Sequence, residues 1–111
     1  MISEINVENK KDMLLSLGLV RKAGKLSFGC DIVCDDIRKR KALLVLLCKE
    51  SSENTKDKIV RCSSYYKVDC YIIDLTLDEL GVAIGKGKVA CVSINDKNFV
   101  SLINKRLNIS I

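Results

Sequence analysis

Apolar positions in this chain follow two rhythms that alternate from the N-terminus to the C-terminus. Cys30, Val33, Cys34 and Ile37 stand at i, i+3, i+4 and i+7 and predict one buried helical face, with Asp31, Asp35, Arg38 and Lys39 on the other side. This helix opens directly after Gly29, carries carboxylates in its first turns and ends in Arg38-Lys39-Arg40-Lys41, the polarity that a helix dipole favours. Upstream, Met13, Leu14, Leu17 and Val20 predict a helix from about Glu8 to Lys22, interrupted at Gly18 and closed by Gly24 just past its C-cap. Lys25 to Phe28 then reads as a short strand leading into Gly29.

The second rhythm is a set of short, continuous apolar runs. Ala42 to Cys48 is bounded by charges at both ends and reads as a strand buried on both faces, which calls for helices above and below it. Val68 to Asp74 and Val89 to Ile94 are further strands. Ser51 or Ser52 can cap an intervening helix that turns Ile59, Cys62 and Tyr66 inward. Thr76-Leu77-Asp78-Glu79 fits a capping box for a short helix carrying Leu77, Leu80 and Ile84 and ending at Gly85. Asn95 or Asp96 can cap a last helix with Phe99, Leu102, Ile103 and Leu107 inward. Strands alternating with helices predict a three-layer α/β/α sandwich around a small four-stranded mixed sheet. Residues 1–111 read as a single domain, with 1–8 as a flexible polar lead-in.

The charge balance adds a candidate surface. The net charge is +5, which permits a polyanionic partner without requiring one. Acidic residues are absent between Asp12 and Asp31, between Asp36 and Glu50, and between Glu79 and Asp96. The windows thus cleared hold Arg21, Lys22 and Lys25, then Arg38 to Lys41 with Lys49, then Lys86 and Lys88. If the loops they border meet at one end of the fold, they form a basic patch; otherwise they are solubilising charges.

Other chemistry is thinly represented. Histidine is absent, which removes the commonest general base and zinc ligand. Gly81-Val82-Ala83-Ile84-Gly85-Lys86-Gly87 superficially resembles a nucleotide loop, but it ends a helix and precedes a strand, the reverse of a P-loop. The N-terminus Met1-Ile2-Ser3-Glu4-Ile5-Asn6 lacks the basic and apolar regions of a secretory signal, and Ala42 to Cys48 is too short to span a bilayer. A cytoplasmic location is expected, where the 6 cysteines stay reduced thiols and serve mostly as small buried hydrophobes. No metal, cofactor, membrane or small-molecule substrate is implied. On these residues alone, the stretch from Gly24 to Lys41 reads most simply as an amphipathic helix with a solvated charged face. A glycine-marked helix N-terminus among cations also offers backbone N–H groups to a phosphate or a base edge.

The order and spacing of several segments resemble the ribosomal-protein family of kink-turn RNA binders, the L7Ae/L30e type, and its bacterial YlxQ-like branch in particular. They are Leu17-Gly18-Leu19-Val20-Arg21-Lys22-Ala23-Gly24-Lys25, Gly29, the strand Leu43 to Cys48, Ser52-Glu53-Asn54-Thr55-Lys56, Tyr65-Tyr66, and Leu80-Gly81-Val82-Ala83-Ile84-Gly85-Lys86. The resemblance covers roughly residues 13–99. It implies a non-enzymatic, cytoplasmic partner of structured RNA, ribosomal RNA included. In such proteins the helix after the Gly29 position enters the widened groove of the kink, and the loop after the Leu-Gly-x-Ala-x-Gly motif completes the site. Carried over, Gly29 matches the family glycine, Lys39 a basic phosphate contact and Gly85 to Lys88 the second loop. Together with the basic windows and the helix start, the expected RNA-binding residues are Lys22, Lys25, Gly29, Cys30, Asp31, Ile32, Arg38, Lys39, Ile84, Gly85, Lys86, Gly87 and Lys88.

Three positions depart from the family pattern. Asp31 stands where the family has Asn, Ile32 where it has Glu and Asp35 where it has Lys. An ionised Asp cannot donate to a base acceptor, Ile neither donates nor accepts, and an anion at Asp35 repels phosphate. A carboxylate at 31 and an aliphatic residue at 32 suit the YlxQ-like branch, which keeps the lysine at 35. These departures motivate an alternative reading, a protein-interaction module that keeps the fold and has lost specific RNA recognition, with Ile32 exposed beside the apolar stripe.

Overall fold

The computed structural model describes residues 3–107. In chain order the elements are β1 (Ser3–Ile5), α1 (Lys10–Lys22), β2 (Leu26–Phe28), α2 (Cys30–Arg38), β3 (Leu44–Cys48), α3 (Glu53–Tyr65), β4 (Asp69–Ile73), α4 (Leu77–Ala83), β5 (Cys91–Ile94) and α5 (Lys97–Arg106). The strands form one sheet in the order β1-β4-β3-β5-β2, with β1, β4 and β3 parallel and β5 and β2 antiparallel to their neighbours.

The central strand explains the layering. Every residue of β3 is buried, and its side chains alternate between two cores. Leu44, Leu46 and Cys48 pack with Met13, Leu17 and Val20 of α1, Leu80 of α4 and Ile103 of α5. Val45 and Leu47 pack with Val33, Cys34 and Ile37 of α2 and Ile59 of α3. Helices therefore cover both faces, as a doubly buried strand requires. Each fully buried aliphatic side chain here contributes about 1.5–3 kcal/mol relative to exposure.

The sheet has five strands rather than the expected four. Ser3–Ile5, expected as part of a polar lead-in, pairs with Tyr71 to Ile73 as an edge strand. Glu4 meets Lys49 at 2.7 Å, and the N–H of Val7 donates to Asp74 Oδ1 at 2.8 Å. Gly18 also behaves differently from expectation, because α1 runs through it without a break. A Cβ there would stand 3.0 Å from the Ala83 carbonyl oxygen, so this glycine lets α4 approach α1. The helix ends follow the expected caps: Gly24 takes a φ of +72°, with the Lys25 N–H on the Val20 carbonyl, and Thr76 and Glu79 close their capping box.

All 6 cysteines are free thiols, and Cys34, Cys48, Cys70 and Cys91 are buried. Burial pushes the Cys34 and Cys48 thiols up to about 12 and the Cys70 thiol up to about 11, and it raises Cys91 as well. A thiol reagent at mildly alkaline pH is therefore expected to modify no more than Cys30 and Cys62 in the folded protein, with the other four reacting only after unfolding. Mass spectrometry of timed samples checks this; rapid labelling of a buried cysteine contradicts it.

Candidate nucleic-acid interface

The start of α2 differs from the other helix starts. Asn9, Ser52, Thr76 and Asp96 cap α1, α3, α4 and α5 through their side chains. Gly29 precedes α2 with φ +92° and offers no side-chain cap. Its own N–H donates to the Cys91 carbonyl at 3.2 Å, which ties α2 to the start of β5. The N–H groups of Cys30, Asp31 and Ile32 thus stand uncapped at the positive end of the helix.

Phe28, the residue before this turn, gathers two cations. The Arg21 guanidinium lies 5.0 Å from its ring centre and the Lys86 ammonium 5.4 Å. Both are within the range of cation–π attraction. The ring therefore joins the end of α1, the Gly29 turn and the Gly85 to Lys88 loop. That loop is held from below: the Lys86 N–H donates to the Gly81 carbonyl at 2.8 Å, and the Val89 N–H donates to the Leu77 carbonyl at 3.1 Å. The Cys48 N–H donates to the Ala90 carbonyl at 2.8 Å, which fixes the loop's exit to the end of β3.

The three departures from the family pattern now have surroundings. Lys58 of α3 donates to the Asp31 carboxylate, and this hydrogen bond holds Asp31 below the usual carboxylate range while raising Lys58. Asp35 sits 3.8 Å from Arg38 and 3.9 Å from Lys39, an exposed and loosely paired group. Ile32 is 55% exposed, outside the buried face formed by Val33, Cys34 and Ile37.

The structure gathers only part of the expected site. Gly29 and the first turn of α2, Cys30 to Ile32, follow Phe28 directly in the chain, and Lys86 of the Gly85 to Lys88 loop meets its ring; the Cys30 side chain packs against the core between α2 and α3. Arg38 and Lys39 lie at the far end of α2, about 13 Å away at the helical rise. Lys25 is also remote, about 10 Å back along the strand, where its carbonyl accepts from the Asn95 N–H. Lys22 turns to a different face, where it lines an apolar groove between α1 and α4 with Leu15, Leu19 and Val82. Ile84 is 4% exposed and belongs to the core, so its side chain cannot meet a ligand. Phe28 and Lys58 are not expected at this site from the sequence, whereas Arg21 stands in the first of the basic windows. Arg21 stands one turn beyond the buried Leu17, a spacing that aims it along the sheet edge toward Phe28.

Residues 11–103 match the ribosomal protein L7Ae/L30e/S12e/Gadd45 family. The chain belongs to that family. It is 40% identical over 67 residues to RNA-binding protein YlxQ of Enterococcus faecium, a match covering 60% of this chain and 65% of that relative's length. It is 36% identical over 85 residues to RNA-binding protein YlxQ of Bacillus subtilis (strain 168), covering 77% of this chain and 84% of the relative. These relatives place the chain in the YlxQ-like branch. Two solved structures share the fold. A Bacillus halodurans protein of unknown function superposes with a TM-score of 0.79 at 24% identity, over 86% of this chain and 96% of that one. A Giardia lamblia 15.5kD RNA binding protein superposes with a TM-score of 0.69 at 15% identity, over 88% and 86% respectively.

Proposed function

We propose that this chain binds structured RNA, kink-turn-like or ribosomal, in the cytoplasm and without catalysing a reaction. The RNA sits against the start of α2 and the Gly85 to Lys88 loop. The observation that carries this reading is the convergence of Arg21 and Lys86 on Phe28, beside the uncapped N–H groups of the first turn of α2. Cations and N–H donors aimed at one place suit a bent phosphate backbone, which needs both charge and directed hydrogen bonds. Exposed Ile32 supplies an apolar surface to a base, while Asp31 and Asp35 leave guanine reading weaker than in the Asn-Glu-Lys pattern. The name that both YlxQ relatives carry supports the same class of ligand.

The test is a titration against a kink-turn RNA and a plain duplex of equal length, at low and near-physiological salt. Tighter binding to the kink-turn supports the reading. Equal and steeply salt-dependent binding leaves a generic basic surface. No binding to either at physiological salt overturns it and favours a protein partner at Ile32.

One variant checks the role of Asp31. Asp31→Asn is expected to tighten RNA binding several-fold and to steepen its salt dependence, because it removes an anion and frees Lys58 for a phosphate. Asp31 is exposed and Lys58 about half exposed, so thermal stability should change only slightly. The Asp31 carboxyl is held low, so whatever the pair adds to stability is present above the ordinary carboxylate pKa and fades only as pH falls through the lowered value. The two proteins should therefore bind RNA differently throughout the neutral range. Identical binding of the two contradicts placing Asp31 at the RNA.

A further inference from the structure

The α2 and α3 helices run side by side in the same direction. Lys58, in the second turn of α3, meets Asp31 at the start of α2, Cys62 Sγ lies 3.8 Å from the Cys34 carbonyl, and Arg40 Nη1, just past the end of α2, donates to the Tyr66 carbonyl at 3.0 Å at the end of α3. A groove of about 580 Å³ follows this seam, lined by three cations, Arg38, Lys58 and Arg61, one carboxylate, Asp57, and the rings of Tyr65 and Tyr66, among others. It begins at the proposed RNA rim and ends at Tyr65.

The far end of the groove has an unusual side chain. Tyr65 is 80% exposed, although its ring is large and apolar. It is also held in place. Its ring meets Tyr66 edge-on with centres 4.9 Å apart, and the Arg40 guanidinium lies 5.3 Å from the Tyr66 ring centre. Tyr66 packs against the core formed by α2 and α3. A fixed aromatic face open to solvent stacks a flat ligand with little further loss of freedom. Arg61 forms no ion pair among the described residues, and Arg38 is only loosely paired with Asp35. Phosphate-seeking cations thus stand between the rim and the ring.

We propose that this groove binds a single-stranded stretch of the same RNA, with a base stacked on Tyr65 and phosphates on Arg61 and Arg38. This rests on the RNA-binding reading of the α2 start. From Lys58 to Tyr65 the path along α3 is about 10 Å at the helical rise, a span of roughly two nucleotides. Exposed aromatics beside arginines are the usual means of holding unpaired bases without sequence preference.

The experiment compares a blunt-ended kink-turn RNA with the same RNA extended by a short single strand at either end, by fluorescence anisotropy at one salt concentration. An extension at one end is expected to tighten binding by about tenfold, the scale of one stacked base. Tyr65→Ala should abolish that gain and leave blunt-RNA affinity and the circular dichroism spectrum unchanged. Tyr65→Phe should retain the gain, and Lys86→Gln should weaken both RNAs alike. Blunt-RNA binding with no gain from either extension overturns this inference alone. So does a Tyr65→Ala loss that is equal for the blunt and extended RNAs. Failure of the wild-type protein to bind any of these RNAs overturns the reading of the α2 rim with it.

Discussion

Replacing Gly81 with alanine is expected to weaken RNA binding by more than about tenfold and to lower stability by roughly 1–3 kcal/mol, the range for overpacking a tight site. In an ordinary helix this change stabilises by about 1 kcal/mol, since alanine is the better helix former. Here the sign reverses because of what lies over the helix. A Cβ on Gly81 would stand 1.3 Å from the Gly87 carbonyl oxygen and 2.5 Å from the Gly87 carbonyl carbon. Both atoms are backbone, so no side chain can swing aside. The Gly85 to Lys88 loop has to lift by roughly 2 Å to restore normal van der Waals distances. Lifting it breaks the hydrogen bond from the Lys86 N–H to the Gly81 carbonyl and carries Lys86 off Phe28. Val82→Ala, one residue on and 76% exposed, is the control and should leave both properties intact. Chemical denaturation and RNA titration of the two variants check this. A Gly81→Ala protein as stable and as tight as the parent contradicts the account of the loop.

Arg21→Gln combined with Lys86→Gln is the second large change. It should reduce RNA affinity about tenfold to a hundredfold and flatten the plot of log affinity against log salt by about 1.5, at roughly 0.7–0.9 for each phosphate that is no longer neutralised. The two side chains come from opposite ends of the sequence and share a single aromatic ring, so their removal clears one side of the site at once. Stability should fall by no more than about 1–2 kcal/mol, because each of the two exposed cation–π interactions is worth about 0.5–1 kcal/mol. Lys105→Gln on the exposed side of α5 removes a similar charge far from Phe28 and should leave the slope nearly unchanged. If Lys105→Gln flattened the slope by about half as much as the pair, only net charge would matter.

Much of this molecule is legible in its sequence because short-range physics dominates those parts. β3 announces itself as an apolar run between charges, and the capping box at Thr76 and the terminal glycine at Gly24 rest on interactions within a few residues. β1 is not legible. Three residues with a single half-buried side chain carry no periodic signal, and their strand character comes from pairing with β4. Gly18 misleads for a related reason: its meaning lies in the approach of Ala83.

The candidate site divides along the same line. Gly29 stands out because the pattern switches from strand to helix there. The Lys86-Gly87-Lys88 loop stands out because cations and glycine are bracketed by apolar runs. Their meeting point is hidden. Phe28 looks like the end of a short strand, and nothing local ties it to Lys86. Counting basic windows also groups residues that the fold separates, since Arg38 and Lys39 close the helix that Gly29 opens. Ile84 is misplaced because a motif can mark a loop correctly while one of its side chains serves the core.

The central claim is that RNA is held at the start of α2 and the neighbouring loop. Backbone amide chemical shifts recorded while a kink-turn RNA is added test it most directly. The account predicts the largest changes at Phe28 to Val33 and at Gly85 to Ala90, with the exposed residues Lys97, Ser101 and Lys105 of α5 unmoved. Changes centred on α5 or on the α1/α4 groove, with Phe28 to Val33 unaffected, would contradict it.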